Sequence, residues 1–284
     1  MHDFSDIRRT VIVALFSDDV LFNHLVLKGG NALNLVHGLG TRTSLDVDFS
    51  MDQDFSDIDE ARGRIFRALR DRMESLGLVV FDESFRVEPG QPSVSKRDKW
   101  GGYQIEFKLI ERNKYHALNN EPRKRQIDAR VIGPAQERVF KIQISKWEYC
   151  DSKEETQLDD YAIYVYPTVL IAIEKLRAIC QQMPEYPLRG HKKPRGRDFY
   201  DIFTVVTETG VDLASGENLD TLRYVFAAKN VPFSLLRFIS DQREFHRPDW
   251  ANVQNSVSGE LRSFDFYFDF VLEQALKLKA LWDE

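Results

Sequence analysis

The sequence is poor in features that mark several large classes of protein. Its 284 residues include only two cysteines, Cys150 and Cys180, which are too few for a disulfide framework and form no Cys-x-x-Cys pair. This usage favours a reducing compartment and argues against structural zinc. No apolar run approaches the ~20 residues that cross a bilayer. The net charge of −6 excludes a general basic coat for nucleic acid, although a local basic patch is compatible with it.

Several motifs of common enzyme classes are also missing. The chain has no Gly-x-Ser-x-Gly elbow, no Walker A loop and no Gly-x-Gly-x-x-Gly turn, so hydrolase, P-loop and dinucleotide-binding functions have no support. The first six residues are acidic where a secretory signal would be basic. We therefore expect a cytoplasmic protein with no membrane partner.

The length suggests two lobes. We predict an α+β catalytic lobe over residues 1–165 and an all-helical lobe over 166–284 that completes the active-site cleft. Ser56 resembles the start of a capping box that opens a helix ending near Leu76. The remaining elements expected in the first lobe are a helix over 4–16 and strands over 45–49, 78–81, 103–110, 127–132 and 139–146.

Two glycines and two aspartates form the first candidate site. Gly29 and Gly30 follow a short apolar run and open a short helix, so their N–H groups are suited to phosphate. Asp46 and Asp48 alternate with apolar residues, so both carboxylates project from one face of a strand. Adjacent carboxylates repel unless a cation lies between them, and hard oxygen ligands suit Mg²⁺ or Mn²⁺. The pattern predicts a site for a metal-bound nucleoside triphosphate.

The run from Lys28 to Phe49 resembles the signature of the DNA polymerase beta-like nucleotidyltransferase superfamily, and more closely that of the AbiEii/AbiGii-type toxins. The family pattern is a Gly-Gly turn followed by an Arg-x-Ser-x-Asp-x-Asp strand. It matches here at Gly29, Gly30, Arg42, Ser44, Asp46 and Asp48. The resemblance implies a nucleotidyltransferase-like first lobe with a mixed or antiparallel sheet and flanking helices. It also implies that the aspartates hold metal ions and that the other four residues bind the triphosphate.

The superfamily usually has a third carboxylate on a neighbouring strand, and the sequence leaves its position open. The strand around Gln143 carries no acid on its polar face. Glu106, which alternates with Gln104 and Lys108, is one candidate and Glu148 is another, while a site with two carboxylates is the third alternative. We name Glu106 as the expected metal ligand.

A helix predicted from residue 167 to 183 is apolar on two sides, one of them around Lys175. Such a helix is expected to lie between the lobes, with Lys175 in the cleft, where ligand sites are preferred. Glu174-Lys175-x-x-Ala178 also resembles a Glu-Lys-x-x-Ala motif of the family, which implies that the lysine contacts the nucleotide phosphates. Without the resemblance, a solvated surface lysine is the simpler interpretation.

The segment Arg195-x-Arg197-Asp198-x-x-Asp201 resembles the fourth motif of the family. The resemblance implies a functional role for Asp198, and we expect Arg197 to contact phosphate and Asp201 to be structural. The residues alone also fit an acid in a first helical turn, stabilised by the helix dipole. The surrounding loop 189–197 is dense in positive charge and is predicted to grip an RNA backbone.

Together, the motifs predict an enzyme of the EC 2.7.7 type that transfers a nucleotide from a nucleoside triphosphate to an acceptor hydroxyl, with Asp46, Asp48, Lys175 and Asp198 as catalytic residues. The resemblance implies a tRNA acceptor and a toxin restrained by an antitoxin protein. Two alternatives stay open. One is transfer to a small molecule, which the basic loop 189–197 disfavours. The other is a regulatory module that binds nucleotide without catalysis, for which Gln143 is the argument.

Overall fold

Alternating apolar and polar residues build a mixed sheet in the first half of the chain. The structure, a computed structural model, describes residues 4–39, 44–90, 100–133, 136–188 and 190–284. The strands across these ranges are β1 Val26–Lys28, β2 Val47–Ser50, β3 Leu78–Glu88, β4 Gly102–Glu111, β5 Phe140–Ser145, β6 Glu154–Leu158 and β7 Tyr161–Val165. Their order in the sheet is β3-β4-β5-β2-β1-β7-β6. β2 is parallel to β5 and β1 is parallel to β7, while the other neighbours are antiparallel.

The chain divides into two compact units. The first comprises residues 1–31 and 45–165, and the second comprises residues 32–44 and 166–284. Residues 32–44 therefore group with the second unit, and the first unit is built from two separate stretches of chain. The α+β fold class with a helical second unit is confirmed.

One face of the sheet holds the core of the first unit. The helices of this unit are α1 Phe4–Phe16, α2 Asp19–His24, α3 Gly29–Asn31, α4 Ile58–Ser75, α5 Arg112–Ala117 and α6 Pro122–Ile127. Phe49, Ile105 and Ile142 are fully buried on this face. α1 packs on it, with the rings of Phe16 and Phe49 5.8 Å apart, and α4 contacts α1. The opposite face carries the polar side chains of the same strands.

Helix α4 begins one residue later than a cap at Ser56 would require. Asp57 is the N-cap, and its carboxylate accepts a hydrogen bond from the Glu60 N–H at 2.9 Å. The helix ends at Ser75, and Gly77 follows with a φ of 70°, a left-handed conformation that glycine adopts without strain. The predicted end of this helix is therefore confirmed, and its capping box is wrong.

One strand predicted in the first unit is wrong, and one hairpin was not predicted. Residues 127–132 form no strand: Ile127 ends α6 with two thirds of its surface exposed, and the following chain bonds to β4 through Arg130 N–H and Leu109 O at 2.7 Å. β6 and β7 form a hairpin over residues 154–165, where the sequence predicted no element. Its turn, Asp159-Asp160, has φ values of 48° and 66°, which match the two-residue type I′ turn that Asp favours.

The second unit contains helices joined by turns and loops, and no strand among its described residues. Its α-helices are α7 Thr168–Cys180, α8 Gly196–Thr209, α9 Gly216–Ala228, α10 Arg243–His246, α11 Trp250–Gln254 and α12 Phe264–Lys277, joined by 3₁₀ turns Phe233–Gln242, Arg247–Asp249 and Lys279–Leu281 and a π-helical turn Ala32–Val36. Aromatic rings fill its core: Phe199 stacks on Phe268 with centroids 5.0 Å apart, and both are fully buried. Within the described ranges, no helix has the length and apolar character needed to traverse a lipid bilayer.

Candidate active site

The Gly-Gly turn and the aspartates meet where β1 ends and β2 begins. β1 and β2 are antiparallel, with Lys28 directly opposite Asp48. Gly29 follows Lys28 with a φ of 71°, and a Cβ built on it would lie 2.9 Å from Asp48 Oδ2. The carboxylate therefore occupies the space that a side chain at position 29 would need. Both the conformation and the close approach require glycine here.

A methyl group at position 29 tests this packing. We expect Gly29→Ala to reduce nucleotidyl transfer at least about tenfold, because the methyl displaces the Asp48 carboxylate, and to cost about 1 kcal/mol of stability from backbone strain. Gly77→Ala is the matched control: its φ of 70° gives the same strain, yet no atom lies within 4 Å of its Cβ. Equal activities of the two variants in a label-transfer assay would contradict the assigned contact.

The polar face of the sheet continues from Asp48 across the neighbouring strands. Asp48 is level with Gln143 of β5, which is level with Gln104 of β4. Gln143 is exposed, so the side chain next to Asp48 on this side is an uncharged amide. Asp46 lies one residue before β2 rather than within it.

A buried amide holds the backbone at Asp46. Asn31, which has no exposed surface, donates from Nδ2 to the Asp46 carbonyl oxygen at 2.6 Å. Its Oδ1 accepts a hydrogen bond at 3.0 Å from the guanidinium of Arg8, which is also buried in α1. The sequence pattern predicts no role for either residue. The signal for Asn31 was its position directly after the glycines, while nothing local marks Arg8, 23 residues earlier.

Glu106 lies away from the two aspartates. β5 separates β4 from β2, so Glu106 is about 10 Å across the sheet from the β2 backbone. Its Oε2 lies 2.9 Å from the Arg86 guanidinium and its Oε1 accepts a hydrogen bond from Gln104 at 2.8 Å. Glu148 is the closer of the two alternatives to β1, because its carboxylate is 3.9 Å from Lys28 Nζ and both groups are buried. A metal-ligand role for Glu106 stays a prediction from the sequence, and the contacts of its two carboxylate oxygens favour a metal site without it.

The variant Glu106→Gln, which removes the negative charge, tests whether Glu106 is a metal ligand. We expect Glu106→Gln to keep transfer within a few-fold of wild type, because both carboxylate oxygens are engaged by Arg86 and Gln104 and an amide can replace the carboxylate in part. A loss as large as that from a substitution of Asp48 would instead make Glu106 a member of the metal site. Steady-state label transfer measures both.

The donor set at the site fits a magnesium-type ion. In the described part of the chain, no group of three or more His, Cys, Asp or Glu side chains is arranged to hold a metal. Mg²⁺ commonly binds through one or two carboxylates, keeps several waters and takes its other ligands from substrate phosphates. Asp46 and Asp48 suit such an ion arriving with a nucleotide, and they are too few for a zinc site built from protein ligands alone.

The other predicted phosphate-binding residues of the first motif are placed in part. Gly30 is buried in α3, and Ser44 is buried two residues before Asp46. Arg42 lies outside the described residues. Its assignment to the triphosphate stays a prediction.

Lys175 of α7 belongs to a buried ion cluster in the second unit. Its ammonium is 3.1 Å from Asp198 Oδ1 and 2.6 Å from Asp201 Oδ2, both of α8. All three residues are at least nine-tenths buried, and Arg195 bonds the other oxygen of Asp198. Lys175 is therefore not a solvated surface lysine. Its charge is balanced by two carboxylates. Asp201, for which a structural role was predicted, is one of them and forms a buried ion pair with Lys175.

Asp198 stays ionised inside this cluster. Burial alone raises the pKa of its carboxyl, but the charges and hydrogen bonds of Arg195 and Lys175 outweigh burial and hold the pKa well below its ordinary value. Arg197, the predicted phosphate contact, is half exposed. Its backbone N–H donates to Asp249 at 3.1 Å, and its side chain lies 3.6 Å from the same carboxylate.

His246 is fully buried in the second unit and contacts the residue that precedes α8. Its Nδ1 accepts a hydrogen bond from the Arg195 N–H at 3.0 Å, and its buried Nε2 has no hydrogen-bond partner among the described residues. Burial lowers the pKa of His246 to about 4, compared with 6.5 for an unperturbed histidine. The folded protein therefore holds this ring neutral.

The protonation of His246 predicts a pH-dependent stability. The unfolded chain takes up a proton near pH 6.5 and the folded chain only near pH 4. The contribution of His246 to the free energy of unfolding is therefore at its maximum above pH 6.5. It falls by about 3 kcal/mol as the pH drops to 4. His246→Asn keeps an acceptor for the Arg195 N–H and removes the titration. We expect its free energy of unfolding, measured in denaturant between pH 7 and 4, to decline less steeply; equal slopes would contradict this account.

The class of protein follows from a family model. A model described as "Nucleotidyl transferase AbiEii toxin, Type IV TA system" matches residues 10–270, which include parts of both units and all the candidate site residues. The protein is a transferase of the nucleotidyltransferase class. More specifically, the chain belongs to the AbiEii toxin family, described as toxins of type IV toxin–antitoxin systems.

Solved structures offer more distant likenesses. JHP933 from Helicobacter pylori has 16% identity and a TM-score of 0.47, over 97% of this chain and 90% of that one. An antigenic nucleotidyltransferase-like protein from Paracoccidioides brasiliensis has 12% identity and a TM-score of 0.40, over 89% of this chain and 95% of that one. At these scores the likenesses carry no argument about the site. No curated protein sequence matches the chain.

Proposed function

We propose that the protein transfers a nucleoside monophosphate from a nucleoside triphosphate to an acceptor hydroxyl where β1 ends and β2 begins. The observation that carries the proposal is the packing of Gly29 against Asp48, with 2.9 Å between a Cβ position and a carboxylate oxygen. This packing brings the backbone of a Gly-Gly turn beside an acid. A triphosphate with its metal ion needs those two kinds of group side by side.

Asp46 and Asp48 are the residues that would hold Mg²⁺ or Mn²⁺. When bound, the ion would offset negative charge on the phosphates and favour the deprotonated acceptor. The buried Asn31 amide supports this role, because its hydrogen bond to the Asp46 carbonyl limits movement of the backbone that carries the carboxylate.

The first unit would supply most of the phosphate contacts. The N–H groups of Gly29 and Gly30, the Ser44 hydroxyl and the Arg42 guanidinium are the proposed donors to the triphosphate. In the reaction, the acceptor oxygen forms a bond to the α-phosphorus while the bond to the β-phosphate oxygen breaks. Pyrophosphate leaves and the hydroxyl proton is released.

The second unit would contribute fixed charge. Lys175 and Arg197 are proposed to neutralise the charge that builds on the phosphates, which lowers the barrier when the charges are held in place beforehand. Asp198 is proposed to act through Lys175 as a positioning residue, because its carboxylate lies 3.1 Å from the Lys175 ammonium. Substrate must then compete with Asp198 and Asp201 for that ammonium.

The acceptor is proposed to be tRNA, modified in the cytoplasm, and a cognate antitoxin protein is proposed to restrain the activity. The family of type IV toxins supports an antitoxin partner and a nucleotide substrate. The basic loop around Lys192 and Lys193 supports an RNA acceptor only weakly, because Lys192 donates to the Gln181 and Tyr186 carbonyl oxygens.

Transfer of label from each α-³²P nucleoside triphosphate to total tRNA, with Mg²⁺, tests the proposal. Labelled RNA with one nucleotide is the expected result, and it identifies the nucleotide and the acceptor class together. Release of pyrophosphate without labelled RNA would favour a small acceptor. Thermal stabilisation by nucleotide with no release of pyrophosphate would overturn the enzyme assignment in favour of a binding module.

A further inference from the structure

A positively charged insertion separates β4 from β5. Residues 112–130, which we call the basic insertion, contain six Lys and Arg and only two acidic residues, in a chain whose net charge is −6. They form α5 and α6 and the turns around them. Neither the nucleotide site nor the sheet core accounts for this concentration of positive charge.

Two cations of the basic insertion are exposed and have no acidic partner. Lys114 of α5 and Arg123 of α6 are exposed and make no ion pair within the described ranges. Other cations of the insertion are balanced by acids outside it, such as Arg112 by Glu74 of α4 at 2.8 Å and Arg130 by Glu111 of β4 at 3.3 Å. The uncompensated charge is therefore concentrated on the two short helices.

The basic insertion is also ordered by an aromatic contact. The Arg125 guanidinium lies 3.8 Å from the centroid of the Tyr115 ring, and it donates to the Tyr115 carbonyl oxygen at 3.1 Å and to Asn119 at 3.2 Å. Tyr115 in turn packs against Phe81 of β3, with centroids 5.9 Å apart. The helix pair is thus attached to the sheet, so the backbone that carries its cations needs little ordering when a partner binds.

The sheet topology places the basic insertion at the same edge of the sheet as Asp46 and Asp48. β4 and β1 do not pair, but they run in the same direction, so both end at one edge of the sheet. β2 and β5 begin at that edge. β4 extends six residues, about 20 Å, beyond Ile105, the residue level with Val47. The chain that leaves the insertion returns to the site, where a Cβ on Gly133 would lie 3.2 Å from Leu45 Cδ1, beside Asp46.

We propose that the basic insertion binds the phosphate backbone of an RNA whose terminal or looped hydroxyl reacts beside Asp46 and Asp48. The proposal rests on the proposed function for the reacting group, and it adds where the rest of the acceptor lies. A small acceptor cannot span the ~20 Å of β4 between the carboxylates and the helices, whereas a polymer can. Exposed Lys and Arg side chains supply sequence-independent contacts to phosphate.

RNA fits this surface better than an acidic protein does. Stable protein interfaces have a desolvated core of aromatic and apolar side chains inside a polar rim. The basic insertion offers Ile127 as its one large apolar side chain with most of its surface exposed, among cations spaced along two helices. Separated point charges without an apolar centre match a phosphate backbone.

Charge reversal tests the proposal without removing a native ion pair. The test variant is Lys114→Glu/Arg123→Glu. The matched control is Arg62→Glu/Arg67→Glu, two exposed cations of α4 that also have no ion pair in the described residues. Binding of 5′-fluorescein-labelled tRNA is followed by fluorescence anisotropy from 50 to 300 mM salt, without nucleoside triphosphate, so the result does not depend on transfer.

We expect the test variant to bind roughly tenfold or more weakly than wild type, with the salt slope reduced by about two, and the control to stay within about twofold. Unchanged binding by the test variant, or equal losses in both variants, would overturn the proposal. Displacement of the RNA by poly-L-glutamate at equal charge concentration would assign the surface to acidic proteins instead. A variant that binds RNA weakly yet still releases pyrophosphate in the presence of nucleotide would separate RNA docking from the transfer chemistry and support the proposal.

Discussion

Asp48→Asn should lose nucleotidyl transfer by at least about 10³-fold while the protein stays folded. Asparagine has the same shape as aspartate, so it preserves the packing against Gly29, but it lacks the negative charge that a divalent ion requires. Loss of a metal ligand removes several kcal/mol of transition-state stabilisation, and about 4 kcal/mol corresponds to roughly 10³ in rate. The measurement is the initial rate of label transfer, with a melting curve for the same preparation.

The control for Asp48→Asn removes an equal charge nearby. Asp52 lies four residues further along the chain, is exposed and is not part of the site. Asp52→Asn should transfer at the wild-type rate. If Asp48→Asn retains activity within tenfold of wild type, then the carboxylate packed against Gly29 is not the metal ligand, and the proposed function loses its central residue.

Lys175→Met should produce the largest loss of stability in the helical unit. Removing the ammonium leaves two buried carboxylates, Asp198 and Asp201, with Arg195 as the remaining nearby cation. Breaking a buried ion pair by deleting one partner typically costs about 3–5 kcal/mol. For a chain of this size we expect a fall in melting temperature of about 10 °C. Lys279→Met, which removes an exposed lysine, should melt as wild type does.

The acid range provides a second test of the same cluster. The pKa of Asp198 is depressed in the folded protein, so its contribution to stability is present above its ordinary pKa of 3.8 and is lost as the pH falls below that value. The penalty of Lys175→Met should therefore be largest near pH 7 and shrink below about pH 4, where Asp198 takes up a proton in the unfolded chain while the folded wild-type protein still holds it ionised. A penalty that is constant from pH 7 to 3 would show that Lys175 acts through packing of its alkyl chain rather than through its charge.

Local patterns explain which parts of the fold the sequence predicts well. Alternation around Asp48 and Gln143 predicts strands with one polar face, because successive side chains of a strand point to opposite sides. β2 and β5 confirm this pattern. Residues 127–132 alternate in the same way and form no strand, and only Arg130 N–H to Leu109 O is a backbone hydrogen bond between this described segment and β4. Periodicity describes one segment and says nothing about how that segment pairs with the rest of the sheet.

The sequence by itself determined the chemical groups of the site: two glycines before a short helix, and two acids spaced by two residues. Tertiary structure alone decided their arrangement. The antiparallel pairing of β1 with β2 places Gly29 against the Asp48 carboxylate. Asn31 donates a hydrogen bond to the carbonyl oxygen of Asp46, 15 residues further along the chain. The same holds for Lys175, which the sequence places on a helix apolar on two sides without indicating its partners, and which folding buries between two carboxylates of α8. Contacts between distant segments depend on packing energies summed over the whole chain, which no local pattern contains.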